Sequence, residues 1–513
     1  RAPLLPLSAP DDVDRLSPLE VSTRYLSHLR AAWDETHPDA PLSAQQVTIT
    51  VPASFDPVAR ELTAEAARAA GLPDAALLEE PQAALYSWLA SHGDDFRKQV
   101  EVGDVILVVD VGGGTSDFSL VAVREHDGEM QLERVAVGDH ILLGGDNMDL
   151  ALAYHIKAQL EEGGRVLDGA QLAALTQAAR GAKEQLLADP ELASAPVVIP
   201  GRGSRLVGGT LRSELARADL ERLLIDGFFP EVAADSRPVS RPRAGLTRVG
   251  LPYAQDAAIT RHLTAFLARQ AESLADADGT ARGPLHPTAV LFNGGVFKSA
   301  LLRERVRKQL DGVLAERSAP PLRILSGADL DLSVARGAAY YGHVRAGHGI
   351  RIRGGTAMSY YVGIESAMPA VPGMPPPLSA LCVAPFGLEE GTRAQMPTAE
   401  FGLVVGEPVR LHFFGSSVRR DDRAGDMVDP IDPQELTALQ DIEVTLPTDP
   451  ATEGPPSEAV IVRLQAGVTE VGTLQLSAVS NDSGQRWNVE FDTRDQNQAA
   501  GQPDSNEVGQ DGR

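Results

Sequence analysis

Apolar positions in the first 345 residues alternate between two spacings, which predicts a mixed α/β region. Helical spacing runs through residues 17–34, whereas "VTITV" at 47–51 alternates with period two, as a strand does. Asp56-Pro57 suits a helix start and Gly71 suits the position after a helix end, so residues 57–70 are predicted to be helical. Further helices are predicted at residues 79–90, 170–187, 216–228, 256–275 and 331–344.

The segment from Val105 to Val137 follows a different order. Val105–Val109 is a continuous apolar run, typical of a strand that is buried on both faces. Three glycines follow, then a second alternating run, the hairpin signal Asp127-Gly128, and the return strand 130–137. The predicted order is therefore strand, glycine turn, strand, hairpin, strand. Dinucleotide-binding and P-loop sites need a helix directly after their glycines, so this order disfavours both.

The pattern changes after about residue 345. Residues 346–356 have linker character, and residues 357–492 contain several short alternating runs between prolines, which predicts a small antiparallel β domain. Residues 230–252 are rich in proline and arginine and are predicted to form a loop. The last segment, 493–513, has few core-forming side chains, so we expect it to be disordered.

Composition narrows the possible functions. The 513 residues include 46 basic and 71 acidic side chains, a net charge of −25, which argues against a general nucleic-acid binder. The sequence has no run of 18 apolar residues, so no membrane span is predicted. The single cysteine, Cys382, rules out a disulfide framework within the chain and a cysteine-rich metal site. It fits a reducing compartment, and we expect a cytoplasmic location.

Glycine turns provide the candidate chemistry. They occur at Gly112–Gly114, Gly144–Gly145 and Gly294–Gly295. Each alone is compatible with a plain tight turn. Asp110, Thr115 and Asp117 surround the first one, and glycine turns can approach phosphate oxygens and donate backbone N–H groups to them. The sequence therefore predicts a phosphate site, with ordinary turn chemistry as the alternative for the two aspartates.

These motifs resemble those of the seventy-kilodalton heat-shock chaperones, the DnaK family, over about residues 17–345. "VVDVGGGTSDFSL" is similar to the second phosphate motif of that family, and "VGDHILLGGDNMD" to the glycine segment after it. "VLFNGGVFKSALLRERV" is similar to its adenosine motif, and "DLDLSVARGAA" to its closing helix. The resemblance implies an actin-like, ribonuclease-H-like α/β ATPase domain over residues 1–345, followed by a β-sandwich at 357–492 that binds substrate.

The resemblance also implies roles for individual residues. ATP or ADP with Mg²⁺ is the implied cofactor, with Asp110 and Asp117 holding the ion through water and Glu80 near the attacking water. Phosphate contacts are implied for Gly112, Gly113, Gly114, Thr115, Gly144 and Gly145. Contacts on the adenosine side are implied for Lys183, Gly294, Gly295, Lys298 and Asp331. Glu80 could also be an acid that stabilises a helix N-terminus, a role compatible with the functional one, and Lys183 could instead be a solvated helix charge.

The sequence departs from the family pattern at several places. Arg180 stands where a glutamate is usual, and Phe297 and Lys298 replace threonine and arginine. "HGIRIRGGT" replaces the acidic, leucine-rich linker, which puts allosteric coupling in doubt. The first phosphate loop and the catalytic lysine of the family would precede every matched segment. We therefore expect this chain alone to hydrolyse ATP negligibly, to bind nucleotide weakly and to self-associate.

Two functions remain open at this stage. The first is a divergent chaperone whose ATPase cycle controls the binding of unfolded or extended polypeptide clients, with co-chaperones as possible partners and no nucleic-acid or membrane partner. The second is an actin-like regulator or scaffold that binds nucleotide without hydrolysis. A sugar kinase of the same superfold fits less well, because the match runs through chaperone-specific segments.

Overall fold

The computed structural model divides the chain into two compact units that interleave along the sequence. The α/β unit comprises His37–Phe55 and Leu78–Ile352, and the β unit comprises Arg1–Thr36, Asp56–Leu77 and Arg353–Arg513. The structure describes residues 2–492 apart from 4, 6–12, 54, 56, 127–128, 139–140, 163, 165, 202–209, 240–252, 274–285, 328, 354–355, 357, 367–375, 389–391, 395, 398, 417–418, 420, 433–434, 440, 448–458, 469–472 and 482. The domain limits predicted from the sequence stay a prediction.

The helices begin and end close to their predicted positions. They are α1 (Pro18–Thr36), α2 (Pro57–Ala69), α3 (Glu80–His92), α4 (Gly145–Glu162), α5 (Gly169–Ala188), α6 (Arg217–Leu220), α7 (Asp226–Phe228), α8 (Ile259–Ser273), α9 (Ala300–Glu316) and α10 (Ser333–Arg345). A π-helical turn, Glu221–Ile225, joins α6 to α7. No described helix is both long enough and apolar enough to span a membrane.

The strands fall into several sheets. They are β1 (Thr48–Val51), β2 (Ala76–Glu79), β3 (Val105–Val111), β4 (Ser116–His126), β5 (Glu129–Val137), β6 (Ser194–Pro200), β7 (Thr210–Ala216), β8 (Ala289–Asn293), β9 (Arg323–Ile324), β10 (Ile352–Arg353), β11 (Ser359–Glu365), β12 (Leu378–Ala384), β13 (Thr392–Ala394), β14 (Glu400–Val404), β15 (Pro408–Leu411), β16 (Phe413–Ser416), β17 (Met427–Val428), β18 (Thr437–Ala438), β19 (Ile442–Thr445), β20 (Ala459–Val468), β21 (Thr473–Ser480) and β22 (Arg486–Asp492).

A six-stranded mixed sheet organises the α/β unit, in the order β10-β5-β4-β3-β8-β9. Strands β3, β4 and β5 are antiparallel neighbours, whereas β8 pairs parallel with β3 and β9 parallel with β8. Every residue of β3 is buried, as its apolar run predicted. The predicted order of strand, glycine turn, strand and return strand is confirmed, while the hairpin signal Asp127-Gly128 lies outside the described residues.

Apolar cores cover both faces of this sheet. One cluster takes the odd-numbered residues of β3, such as Leu107 and Val109, together with side chains of α4, α5, α8 and α9. The other takes the even-numbered residues Ile106 and Val108 together with α3 and α10. Because successive side chains of a strand point to opposite faces, one continuous apolar run serves two cores. This burial fixes the ends of β3 and β8, where the glycine turns begin.

Helix α10 packs directly against α3 through a glycine. A Cβ atom on Gly337 would lie 1.7 Å from the backbone oxygen of Ala83, a distance that no side chain can occupy. The sequence predicted a helix at 331–344 although this segment contains Gly337. The close approach of α3 explains why a glycine occupies this helical position. Ile352 lies in the same core, and its N–H donates to the Tyr86 hydroxyl at 3.0 Å. The predicted linker therefore contributes at least this residue to the α/β unit.

Two antiparallel sheets form the larger part of the β unit. Their strand orders are β17-β12-β11-β16-β18 and β13-β20-β21-β22, with β14 also paired to β20. Tyr360 and Phe413 from the first sheet share a core with Ala466 and Leu474 from the second. A core between two facing sheets is a β-sandwich. The predicted fold class, an α/β region followed by a small antiparallel β-sandwich, agrees with this architecture.

Some elements differ from the prediction or fall outside it. The hairpin β6–β7 was not predicted, and neither was β12. Within the region of predicted short strands, the alternating run "VRLHFF" at 409–414 suggests a single strand, but it divides into β15 and β16, which belong to different sheets. The predicted N-cap Asp56, most of the loop 230–252 and the tail 493–513 lie outside the described residues.

Candidate nucleotide site

The first glycine turn connects β3 to β4 across the end of the central sheet. The N–H of Gly112 donates to the backbone oxygen of Thr115 at 3.0 Å and closes the turn. Gly113 and Gly114 at its tip are exposed. Because β3 is fully buried, the turn is held at a fixed position at the end of this central strand.

The second glycine turn packs onto the first. Gly145 and Asp146, at the start of α4, donate their N–H groups to the backbone oxygens of Gly112 and Gly113 at 3.0 and 2.8 Å. A Cβ on Gly144 would lie 2.5 Å from the oxygen of Gly113, so a side chain there would separate the two turns. In this arrangement the second turn supports the first, because its N–H groups are already engaged.

The third glycine turn follows β8 and lies against the end of β3. Gly294 has a φ of +87°, and a Cβ there would lie 2.2 Å from the backbone oxygen of Val111. Both the left-handed backbone and the close approach require glycine at this position. Gly295 opens the short helical turn that leads to α9. Lys298, in that turn, forms an ion pair with Asp331.

Three acidic side chains come together behind the first turn. Asp110 and Asp117 are direct cross-strand partners on β3 and β4, and both are buried. Glu80 lies in the first turn of α3. Burial raises the pKa of Glu80 to about 8, with further increases from the charges of Asp110 and Asp117. The site therefore holds three carboxyl groups in a poorly solvated place that disfavours their charged forms, and a bound cation would stabilise those charged forms.

Asn293 and Ser333 orient Asp110. The Asn293 amide donates to Asp110 Oδ2 at 2.8 Å, and the Ser333 hydroxyl donates to Asn293 Oδ1 at 2.5 Å. Burial raises the pKa of Asp110 to about 7, the Asn293 hydrogen bond opposes that rise, and the charge of Asp117 adds to it. Sequence analysis did not identify Asn293. The signal was present, because Asn293 is a polar residue at the end of an apolar strand, just before two glycines, as Asp110 is near the end of β3.

A cavity of about 350 Å³ opens beside these turns. It is lined by Gly112, Gly113, Gly145, Asp146, Met148, Asp149, Arg180, Lys183, Glu184, Leu187, Ala188, Gly295, Val296, Lys298, Ser299 and Leu302. Six of the site residues predicted from the sequence are among them: Gly112, Gly113, Gly145, Lys183, Gly295 and Lys298. The others, Glu80, Asp110, Gly114, Thr115, Asp117, Gly144, Gly294 and Asp331, do not line it but belong to the same turns or to the contacts described above.

Lys183 is not the solvated helix charge that the sequence left as an alternative. Its side chain is only 10% exposed, and its Nζ lies 2.6 Å from Oδ1 of Asp149, which is 5% exposed. The pair joins α5 to α4 across the wall of the cavity. Sequence analysis missed Asp149, since nothing in the sequence relates two helical residues so far apart in the chain.

The strand order, the carboxylates at the end of the sheet and the cavity between helices agree with an actin-like α/β fold. Comparison with known proteins agrees. The Hsp70 protein family matches residues 7–233. A chaperone protein HscA homolog of Variovorax paradoxus is 35% identical over 205 residues, which are 40% of this chain and 29% of that protein. The homolog of Bordetella pertussis is 37% identical over 208 residues, 40% of this chain and 30% of that protein.

These matches support a relationship to the Hsp70 family, of which this chain would be a divergent and partial member. The aligned region spans less than a third of the length of either relative. The fold class predicted from the sequence, an actin-like α/β domain together with a β-sandwich, agrees with this match and with the sheets of the structure.

Proposed function

We propose that this chain is part of an ATP-dependent molecular chaperone, in which binding and hydrolysis of magnesium-ATP are coupled to the binding of unfolded peptide segments. The observation that carries the proposal is the convergence of Glu80, Asp110 and Asp117 behind a glycine turn that lines a cavity. Relatives named as chaperones support it. Clients would be unfolded or extended polypeptides, co-chaperones would be further partners, and the cytoplasm is the proposed location.

Magnesium fits the donor set. In the part of the chain that the structure describes, no three histidine, cysteine or acidic side chains lie close enough to hold a metal ion directly. Magnesium keeps several of its waters in proteins and takes few carboxylates, so Asp110 and Asp117 would hold it through water. When bound, the ion would neutralise charge on the phosphate oxygens.

The chain's own residues would bind and orient the nucleotide. Backbone N–H groups of Gly113 and Gly114 and the Thr115 hydroxyl would donate to phosphate oxygens, and Gly112, whose N–H closes the turn, would let a phosphate approach closely. Glu80 would accept a hydrogen bond from the attacking water and orient it. The remaining cavity residues would surround the nucleoside. Asn293 would hold Asp110 in one rotamer through the hydrogen bond already described.

The β-sandwich would bind the peptide. Antiparallel sheets offer main-chain groups and alternating side-chain positions to an extended segment, and this is a common way in which proteins recognise peptides. The β unit contains both sheets together with a core that is independent of the nucleotide site. Nucleotide state would alter peptide affinity through coupling between the units.

One observation favours the second candidate, a regulator that binds nucleotide without hydrolysis. The N–H groups of Gly145 and Asp146 already donate to the backbone oxygens of Gly112 and Gly113, and Lys183 is paired with Asp149. These groups are therefore less available to stabilise the charge that develops during transfer of a phosphoryl group. The two candidates predict the same binding and differ only in turnover.

Titration calorimetry of ADP, with magnesium and with EDTA, tests the proposal on the chain as it stands. We expect magnesium to strengthen ADP binding to the wild type. Asp110→Asn should reduce this magnesium effect at least about tenfold and leave ADP binding in EDTA unchanged. Asp94→Asn, which changes an exposed carboxylate paired with Arg97, serves as the control. An equal magnesium effect in wild type and Asp110→Asn would contradict the assignment.

Phosphate release decides between the two candidates. It is measured on this chain and on a longer protein in which a first phosphate loop precedes it. Turnover in the longer protein that Asp110→Asn removes supports the chaperone ATPase. Tight binding without turnover in both proteins supports the regulator.

A further inference from the structure

The cavity contains two kinds of wall. Backbone atoms of Gly112, Gly113 and Gly145 form one part, and such glycine backbones suit phosphate oxygens. Helix α5 and the start of α9 form another part, where Leu187, Ala188 and Leu302 offer an apolar surface of the kind that contacts a flat base. The polar groups on this second wall decide which base edge the cavity can accept.

One charged pair beside that wall is already committed, because Lys183 and Asp149 form a nearly buried pair. Lys298 is paired with Asp331, with side chains 54% and 67% exposed, and it lies in the turn before α9 rather than on α5. Arg180 and Glu184 also contact each other, with Arg180 Nε 3.1 Å from Glu184 Oε1, but their side chains are 52% and 61% exposed. An ion pair this exposed contributes little to stability, so either partner can turn to a ligand at small cost.

An arginine and a glutamate side by side match the edge of guanine better than that of adenine. A carboxylate can accept two parallel hydrogen bonds from guanine, at N1–H and at the N2 amino group, whereas adenine offers only its N6 amino group. A guanidinium donates well to the O6 and N7 acceptors of guanine. Adenine has an N6 amino donor at the position where guanine has the O6 acceptor. An arginine beside adenine could therefore donate to N7 alone.

We propose that the Arg180–Glu184 pair lets this cavity bind guanine nucleotides with an affinity within about tenfold of that for adenine nucleotides. The inference rests on the proposed function, since it requires that the cavity holds a nucleotide. Glu184 would read the N1–H and N2 amino donors, and Arg180 would donate to O6 and N7. The apolar residues Leu187, Ala188 and Leu302 tolerate either purine ring.

Calorimetric titration of ADP and GDP, both with magnesium, tests this on the wild-type chain and on Glu184→Gln. We expect the wild type to bind GDP within about tenfold of ADP. Glutamine replaces one acceptor oxygen with a donor, so Glu184→Gln should weaken GDP binding at least about tenfold and change ADP binding by less than about threefold. Glu304→Gln is the matched control, since Glu304 is exposed, is paired with Arg307 on α9 and does not line the cavity.

The outcomes separate this inference from the proposed function. If the wild type binds ADP but prefers it to GDP by more than tenfold, the inference is overturned and the nucleotide site stands. The inference also fails if Glu184→Gln weakens ADP and GDP equally, because Glu184 would then not read the base. If neither nucleotide binds at millimolar concentration, both the inference and the proposed function are overturned.

Discussion

The α/β unit and the β unit bury polar side chains in different ways. In the β unit, Asp422 accepts hydrogen bonds from the Tyr361 hydroxyl and from Arg419, and Arg419 also pairs with Glu435. Donors and acceptors in that cluster match each other. In the α/β unit, the pKa values of Glu80 and Asp110 are raised, so the charged forms of these acids are poorly compensated. A protein retains such an imbalance where a ligand supplies the missing charge.

The same comparison extends to ion pairs. Lys183–Asp149 in the α/β unit is almost completely buried, whereas Arg410–Glu443 in the β unit is 58% and 68% exposed. Desolvation makes a buried pair strongly dependent on both partners, while water screens an exposed one. Two pairs of the same charge type therefore respond differently when one partner is removed.

The largest expected effect is that of breaking the buried pair. Lys183→Met leaves Asp149 buried without its nearest cation and should lower the free energy of unfolding by about 3–5 kcal/mol. Lys183→Met combined with Asp149→Leu removes both charges and should recover a large part of that loss. Arg410→Met is the exposed control and should cost about 1 kcal/mol or less. Urea unfolding measures all three variants.

Additive losses in the double variant would contradict the electrostatic explanation. In that case the two side chains would stabilise the unit through packing rather than through their charges. A loss for Arg410→Met as large as that for Lys183→Met would remove the contrast between the units.

The next effect concerns the glycine between α10 and α3. Gly337→Ala places a Cβ 1.7 Å from the backbone oxygen of Ala83, so the helices must move apart, at a cost of about 2–3 kcal/mol. Gly342→Ala, on the same helix, meets only the Gln46 side chain at 3.8 Å and should stabilise the protein by up to about 1 kcal/mol. Thermal unfolding followed by circular dichroism distinguishes them. Equal melting temperatures for the two variants would show that the contact is looser than described.

The sequence predicted the elements of the site better than the contacts within it. The apolar run of β3, the three glycine turns and the helix with Gly337 all follow from local patterns, because burial and backbone conformation are encoded by neighbouring residues. The Lys183–Asp149 pair and the Ser333–Asn293–Asp110 chain join residues that are distant in sequence. No periodicity indicates such pairs, and only the family resemblance suggested that Lys183 has a role.

The missed strands have local causes. Strand β6 contains Pro196 and ends at Pro200, and prolines argue against a strand. Among the described residues, β6 pairs only with β7, so its other edge is free and tolerates proline. Strand β12 is buried along its length at Ala380–Ala384, so it lacks the alternation by which strands in the β region were identified. In both cases the position of the strand in its sheet outweighed the local pattern.

The smallest expected effect is a pH dependence in the β unit. Burial raises the pKa of the Cys382 thiol to about 12 from an ordinary value of 9.0, with smaller contributions from the charges of Asp422 and Asp426. The raised pKa means that the unfolded chain loses this proton at a lower pH than the folded one. Stability is therefore intact below about pH 9 and falls as the pH rises towards 12, by at most about 1.4 kcal/mol for each pH unit.

Cys382→Ala tests this dependence, because it removes the thiol and leaves the other alkaline groups in place. Burial also raises the pKa of Tyr361, with the same sign of effect. This group is present in both proteins, so its contribution cancels in the difference except for the smaller part of its shift that comes from the charge of Cys382. Urea unfolding from pH 8 to 10.5 should show a steeper loss of stability in the wild type than in Cys382→Ala. Parallel curves would mean that the thiol of Cys382 ionises as readily in the folded protein as in the unfolded chain. The β unit would then admit water at β12, where the structure buries the side chain completely.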